Sequence, residues 1–550
     1  MWLGGNGAWS NDVQWSLSVA PSSTDSVLIT NTASSYIVTI DSATPSSELT
    51  NYNLTIGVDN GTVTTQRLNV ISAAATWRVN DRITIARPRG ELSIADSAVS
   101  VGTNVRVAGT LLMTNVNLVI TSPTGGSLPS DVGIGGANAL VSVQGGSITA
   151  TNAANSAGIL VGSGGLGNGN FFATNTLLLV SSFYVGAGQA VIANAGLAVT
   201  NLLRSVNVDP LSSADASLTL AGGIFDGTAT RVSIGLNGGA GIASLTNSGA
   251  VWNMNSTDMS IGNAGGRQGF FVLNGGTNRN TGGSGTGEYR VGSKANATGT
   301  LTVVTGFLYA NGNGIGGNGA LSIGSVAGSV GTFNQYGGRV VITNSFPNAA
   351  VYVGVNGKAF WNQTNGTLLA DRFQIGANDQ QFIVGKNALI EIKQADGFSN
   401  TAPLSISNNF AFDGTLKFTP PTATSTQLLM LAGLDLGGSS KGYTNNFSLG
   451  TLDLSGYGSA NRLQLIAPNS MMSTALYVGA ISQIATNDLI SSYNVYYLPD
   501  SNPELFAGGD QGKYMLNGGG FLIPIPEPSG LLLFALAFLG GLVLRKRKNA

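Results

Sequence analysis

The chain has no cysteine and no histidine among its 550 residues, and only 9% of its residues are charged. Each absence removes chemistry. Without thiols there is no disulfide framework, no Cys nucleophile and no thiolate metal site. Without imidazole there is no Ser-His-Asp or Cys-His catalysis and no His-bound zinc. Enzymatic options shrink to carboxylate, Lys, Arg and Tyr groups, as in glycoside cleavage by two acids. Lys plus Arg number 25 against 26 Asp plus Glu, a formal net charge of −1, so no basic footprint for a phosphate backbone and no nucleic-acid partner is expected. No cofactor is expected either. The missing cysteines do not argue against export, because stacked repeats with a continuous core can do without the staples that small secreted domains need.

Glycine is what abounds. It fills 79 of 550 positions, about twice the usual share of roughly 7%. Disorder is excluded by a 43% hydrophobic content with almost no net charge. A chain of this length exceeds one compact core, which leaves several domains or one elongated repeat.

The texture favours the repeat. Short runs rich in β-branched residues alternate with Gly, Asn, Ser and Thr clusters, the signal of strands and turns. One phrase recurs, ending in Val or Ile and then Gly: ILVG at Gly162, FYVG at Gly186, VSIG at Gly235, MSIG at Gly262, YRVG at Gly292, LSIG at Gly324, VYVG at Gly354 and FQIG at Gly376. Successive glycines lie 24, 49, 27, 30, 32, 30 and 22 residues apart, the 49 being about two units. Several units carry a second half, such as GFFVLNGG (269–276), GTLTVVTG (299–306) and GTFNQYGG (331–338). Each unit therefore reads as strand, Gly turn, strand, Gly turn.

A strand repeat of this length cannot bury its apolar face alone, and stacking each unit on the next supplies a continuous core. The fold expected is all-β: a right-handed parallel β-helix (β-solenoid), with a short C-terminal apolar helix. Period-2 alternation sends Leu301 and Val303 inward and Thr300 and Thr302 outward. Ile234, Ile261, Val291, Ile323, Val353 and Ile375 should line the interior, and some twenty rungs would make a rod roughly 100 Å long. The expected organisation is a Trp-rich cap with the first rungs over 1–50, solenoid repeats over 51–384, an irregular β-region closing the solenoid over 385–520, and a distinct tail over 521–550. The closing region contains Tyr493, Tyr496 and Tyr497, which are expected to pack as a cap rather than form a binding platform.

The N-terminus reads MWLGGNGAWSNDVQWS, with Trp2, Trp9 and Trp15 set among glycines. It resembles the opening of bacterial surface proteins with autotransporter-associated β-strand repeats, in which such a phrase begins the mature solenoid. The tryptophans are expected to plug the open end of the core; the alternative is carbohydrate stacking on exposed indole faces. No basic stretch followed by an apolar one precedes the phrase, so an export signal is expected upstream of the sequence given.

The C-terminus reads IPIPEPSGLLLFALAFLGGLVLRKRKNA. It has three parts: Pro526-Glu527-Pro528, an apolar helix over 530–544, and the cluster Arg545, Lys546, Arg547 and Lys548. It resembles the PEP-CTERM sorting signal, which implies an exported protein held in the inner membrane until an exosortase-type membrane protease removes the tail. Exopolysaccharide or envelope components are the further partners the resemblance suggests. Elementary physics agrees. The apolar run Leu531 to Leu544 rises about 21 Å as a helix, short of the roughly 30 Å hydrocarbon core, so it is a marginal anchor. The terminal cations stay cytoplasmic by the positive-inside rule, which leaves residues 1–525 outside.

GSGGLG (162–167) fits a dinucleotide fingerprint, yet a strand-like segment follows it where the pyrophosphate needs a helix N-terminus. Asp258 and Glu288 both stand four residues before repeat glycines, so on adjacent rungs they share a column, with Arg290 near. Such a pair can bind Ca²⁺, share a proton or splay into solvent, and splaying is the expectation. The function expected is a non-enzymatic, exported surface or matrix protein of a Gram-negative-type bacterium with a structural or adhesive role; the alternative is a β-helical polysaccharide lyase or glycoside hydrolase.

Overall fold

The structure is a computed structural model that describes residues 1–525, apart from 59–62, 88, 122–130, 137–138, 151–157, 163–166, 200–205, 209–214, 228–230, 236–239, 255–257, 283–286, 313–319, 345–348, 379, 468–472 and 483–487. The apolar segment 530–544 and the inner part of GSGGLG lie outside the described residues. The chain is a parallel β-solenoid of about 16 turns. Strands take 59% of it and helices 5%, so no helical layer contributes to the core. The turns number fewer than the twenty expected because several rungs run to 30 residues or more, as the steps from Ile261 to Val291 and from Val291 to Ile323 show. Two compact units divide at residues 362 and 363.

In the first unit the repeat phrase, and in the earlier turns its equivalent such as Ser26–Ile29 and Arg82–Ile85, forms a short strand on one face of the turn. Its last apolar residue stacks in register on that of the next turn. The column runs Ile29, Ile56, Ile85, Val107, Ile134, Val161, Val185, Val208, Ile234, Ile261, Val291, Ile323 and Val353. Every member is β-branched and essentially unexposed. A branched side chain is already stiff at χ1 and packs well on its neighbours above and below. Burying each contributes about 1.5–3 kcal/mol.

The glycine that follows makes the corner. Gly162, Gly235, Gly262, Gly292, Gly324 and Gly354 have φ between +64° and +73°. A Cβ there would also collide with the backbone that opens a neighbouring strand, as at Gly262 against the Thr298 carbonyl. The long strands, such as Gln268–Asn280 and Thr298–Ala310, bend around a second corner at Gly276 and Gly306. Asn115, Asn194 and Asn247 occupy the left-handed region at corresponding corners of other turns. Alternation holds along these strands: Leu301 and Val303 are fully buried and the threonines beside them half-buried. Large rings fill parts of the interior, with Trp252 edge-on to Phe271 and Phe333 stacked on Trp361 at 4.2 Å.

The second unit keeps the parallel ladders after the repeat phrase lapses. Gln380–Ile392 pairs with Phe410–Phe412 and Thr415–Phe418, and the latter with Leu449–Asp453. Ile375 stacks on Asn400, so the branched column gives way to a polar side chain whose oxygen accepts from the Ala402 amide at 3.0 Å. Phe373, Phe382, Phe398, Phe410 and Phe412 interlock as its core. Two antiparallel pairs, Gly433–Leu434 on Thr474–Ser482 and Tyr514–Met515 on Phe521–Pro524, break the parallel order near its end.

Candidate functional sites

Asp258 and Glu288 are directly paired partners on adjacent turns, as their common distance from the repeat glycine implies. They do not splay into solvent. Their side chains are 5% and 6% exposed. The expectation of solvated carboxylates fails because Arg290, two residues after Glu288, reaches across both. Its Nε and Nη2 donate to Glu288 Oε2 at 2.8 and 2.5 Å, and its Nη1 lies 3.6 Å from Asp258 Oδ2. Ser260 Oγ donates to the same Asp258 oxygen at 3.0 Å. The neighbouring turn at Gly312 packs on the Glu288 side chain. Burial pushes the Glu288 carboxyl above its ordinary value, the Arg290 guanidinium pulls it back, and Asp258 adds a smaller upward push. The cation that sits between these carboxylates is a guanidinium, where Ca²⁺ would have to bind. Among the described residues no group of three or more Asp and Glu is placed to hold a metal ion.

Trp2, Trp9 and Trp15 meet at the N-terminal end. Trp15 lies edge-on to Trp2 and Trp9, with ring centroids 5.0 and 5.1 Å away. Each indole N–H is spent internally, on the carbonyls of Gly5, Glu48 and Trp9 respectively. Trp2 and Trp9 are 0% exposed and Trp15 3%. No indole face is open to a sugar ring, so stacking of carbohydrate on these residues is ruled out by burial; the three rings close the end of the core.

A second aromatic cluster lies in the C-terminal unit. Tyr477 and Tyr496 stack at 4.8 Å, and Tyr443 stands edge-on to Tyr477. Asp435 organises them: it accepts from the Tyr496 hydroxyl at 2.9 Å and from the Gly437 amide at 2.9 Å. Burial pushes the Tyr477 hydroxyl up to about 12. Tyr493 and Tyr497 are buried beside it, with hydroxyls on the carbonyls of Ile466 and Gly512. Asp435 carries no sequence signal of this role; only the non-local pairing of Gly433–Leu434 with Thr474–Ser482 brings it here.

Strand Phe521–Pro524 pairs in parallel with Asn494–Tyr497, so the end of the described chain is built into the sheet. Ile525 is 2% exposed, packs on Tyr477 and Tyr496, and donates its amide to the Tyr497 carbonyl at 2.9 Å. The next residue is Pro526. From Pro524 onward, residues 524–548 match the PEP-CTERM protein-sorting motif. The chain carries a PEP-CTERM sorting signal. It is thereby an exported protein, sorted through exosortase, with a transient C-terminal membrane anchor. Pro526, Glu527, Pro528, Arg545, Lys546, Arg547 and Lys548 all fall in the matched segment and lie outside the described residues. No helix among the described residues is long and apolar enough to cross a membrane. Comparison with curated proteins and with solved structures gave no match.

Proposed function

We propose that this PEP-CTERM protein is a non-enzymatic β-solenoid scaffold of the bacterial surface or extracellular matrix, with a structural or adhesive role. The observation that carries the reading is the direct junction between solenoid and sorting signal: the strand that closes the fold runs into the motif at Pro524, and Ile525 is still core. What exosortase frees is then the folded β-structure itself. The absence of His and Cys supports a non-catalytic role, as does the state of the one column of paired carboxylates singled out by the repeat. Asp258 and Glu288 are buried and tied to Arg290, whereas general acid and base groups must reach a bound substrate. The test is cell fractionation in an exosortase-bearing host, combined with incubation of the released protein with a panel of polysaccharides. Release to the surface fraction without shortening of any glycan is expected; steady depolymerisation of one of them would overturn the non-enzymatic part.

A further inference from the structure

One outward face of the first unit departs from the Asn, Thr and Ser cladding of its neighbours. After the second glycine corner, Thr277, Phe307 and Arg339 stack in one outward column. Two residues along, Asn253, Arg279 and Tyr309 stack in the next. The inward positions that alternate with them, Leu308 and Ala310, are fully buried, so the pleat fixes Phe307 and Tyr309 on the surface. Their rings lie within 10° of parallel, centroids 6.5 Å apart, each half-buried. The Tyr309 hydroxyl is tied to the Thr343 carbonyl at 3.3 Å, which holds its ring in place.

The two arginines are the unusual part. Charge is scarce in this chain, yet Arg279 and Arg339 are both exposed and neither has an ion pair or hydrogen bond among the described residues. Arg279 rests instead over the Phe307 ring, Cζ 6.0 Å from its centroid. The nearest acid in its column, Asp226, is two turns away, about 10 Å, and is held by Asn253 Nδ2 at 2.8 Å. Arg279 and Arg339 themselves stand two turns and two residues apart, about 12 Å between backbones.

We propose that Arg279, Phe307, Tyr309 and Arg339 form a binding site for an acidic polysaccharide, a chain of pyranose rings bearing carboxylates. The proposal deepens the adhesive reading above and rests on it. Flat rings at a fixed spacing offer faces to the C–H side of a sugar, while guanidinium forks pair with carboxylates in bidentate fashion. Two cations without an ion pair among the described residues, on a column whose Asp226 is already held by Asn253, match an anion of low charge density; a nucleic acid would need more cations than these two.

Full-length protein in mild detergent, titrated calorimetrically with a size-defined oligogalacturonate, tests it. Uronate binding is expected, at least tenfold tighter than to a neutral cello-oligosaccharide or to oligo-dT of matched charge. It should weaken at least tenfold in the double variant Arg279→Gln/Arg339→Gln and in Phe307→Ala, with melting temperatures unchanged in the double variant. No uronate binding, wild-type affinity in the double variant, or equal binding of oligo-dT would each overturn the site, as would a change of self-association in place of glycan affinity. Localisation is scored in parallel. Protein that reaches the surface fraction but binds no uronate defeats this site alone, whereas protein that never leaves the inner membrane defeats the scaffold reading beneath it.

Discussion

Removing Arg290 should convert the buried acid pair from a guanidinium-bridged knot into a liability that is felt only above acidic pH. In Arg290→Leu, Asp258 and Glu288, 5% and 6% exposed in the native chain, keep their adjacent backbone positions with no guanidinium between them. Breaking a buried ion pair by deleting one partner destabilises by about 3–5 kcal/mol. Arg290 itself is 32% exposed, so solvent already screens part of the interaction and a loss of about 2–3 kcal/mol is expected. The pH dependence follows from Glu288. Its folded pKa is raised above the ordinary 4.5, so between the two values the folded chain holds more protons than the unfolded one. The associated stability is fully present below the unfolded value and lost as pH rises through the folded value. Loss of Arg290 removes the downward pull on Glu288 and widens that window upward. Melting followed by circular dichroism should therefore show Arg290→Leu several degrees below wild type at about pH 7.5, with the gap closing near pH 5. The triple variant Asp258→Asn/Glu288→Gln/Arg290→Leu, which has no buried charge to strand, should recover most of the loss at neutral pH. An equal gap at both pH values, or none at either, would mean that Arg290 does not offset the charge of the buried acids.

Three further outcomes follow from the packing. Trp15→Ala, which removes the ring that both Trp2 and Trp9 abut, should destabilise by about 3–5 kcal/mol, read as a lower chemical-denaturation midpoint. Gly292→Val places a branched side chain at φ +69° and against the Val330 carbonyl, and should cost more than the roughly 1–2 kcal/mol of the left-handed conformation alone; hydrogen exchange at the Val291 and Ile323 amides should rise first. A stop after Ile525 should melt like the full-length chain, whereas a stop after Gly520 removes strand Phe521–Pro524 and should lower the melting temperature and expose Tyr477 and Tyr496 to solvent quenchers.

The solenoid was legible because its information is local and repeated. Eight copies of one phrase place a branched residue and a glycine at the same phase of eight turns, and Ile234, Ile261, Val291, Ile323, Val353 and Ile375 are each at most 1% exposed. The shared column of Asp258 and Glu288 followed from the same phase. Their burial did not, because it depends on the reach of Arg290 and on the turn at Gly312, contacts that no period encodes. The tyrosine cluster around Asp435 was invisible for a similar reason: its members span Asp435 to Tyr496 and meet only through strand pairing. The ladders beyond residue 385 outlast the phrase because Phe and Leu fill the interior as well as Val and Ile do once the turns are stacked. Phe307 and Tyr309 were readable from alternation in GFLYA, yet their arginine neighbours come from the turns before and after, which a linear scan does not set side by side.

Export through exosortase should free the solenoid from its tail near the junction with Pro526. Mass spectrometry of the protein recovered from the native surface fraction tests it most directly. A C-terminal peptide that contains Phe521 to Ile525 and ends before the apolar run is expected, with Arg545 to Lys548 missing from surface material. In the companion variant with Pro526, Glu527 and Pro528 replaced by Ala, uncleaved chain should stay in the inner membrane. Recovery of surface protein intact through Ala550 would contradict the account and leave the tail a plain anchor.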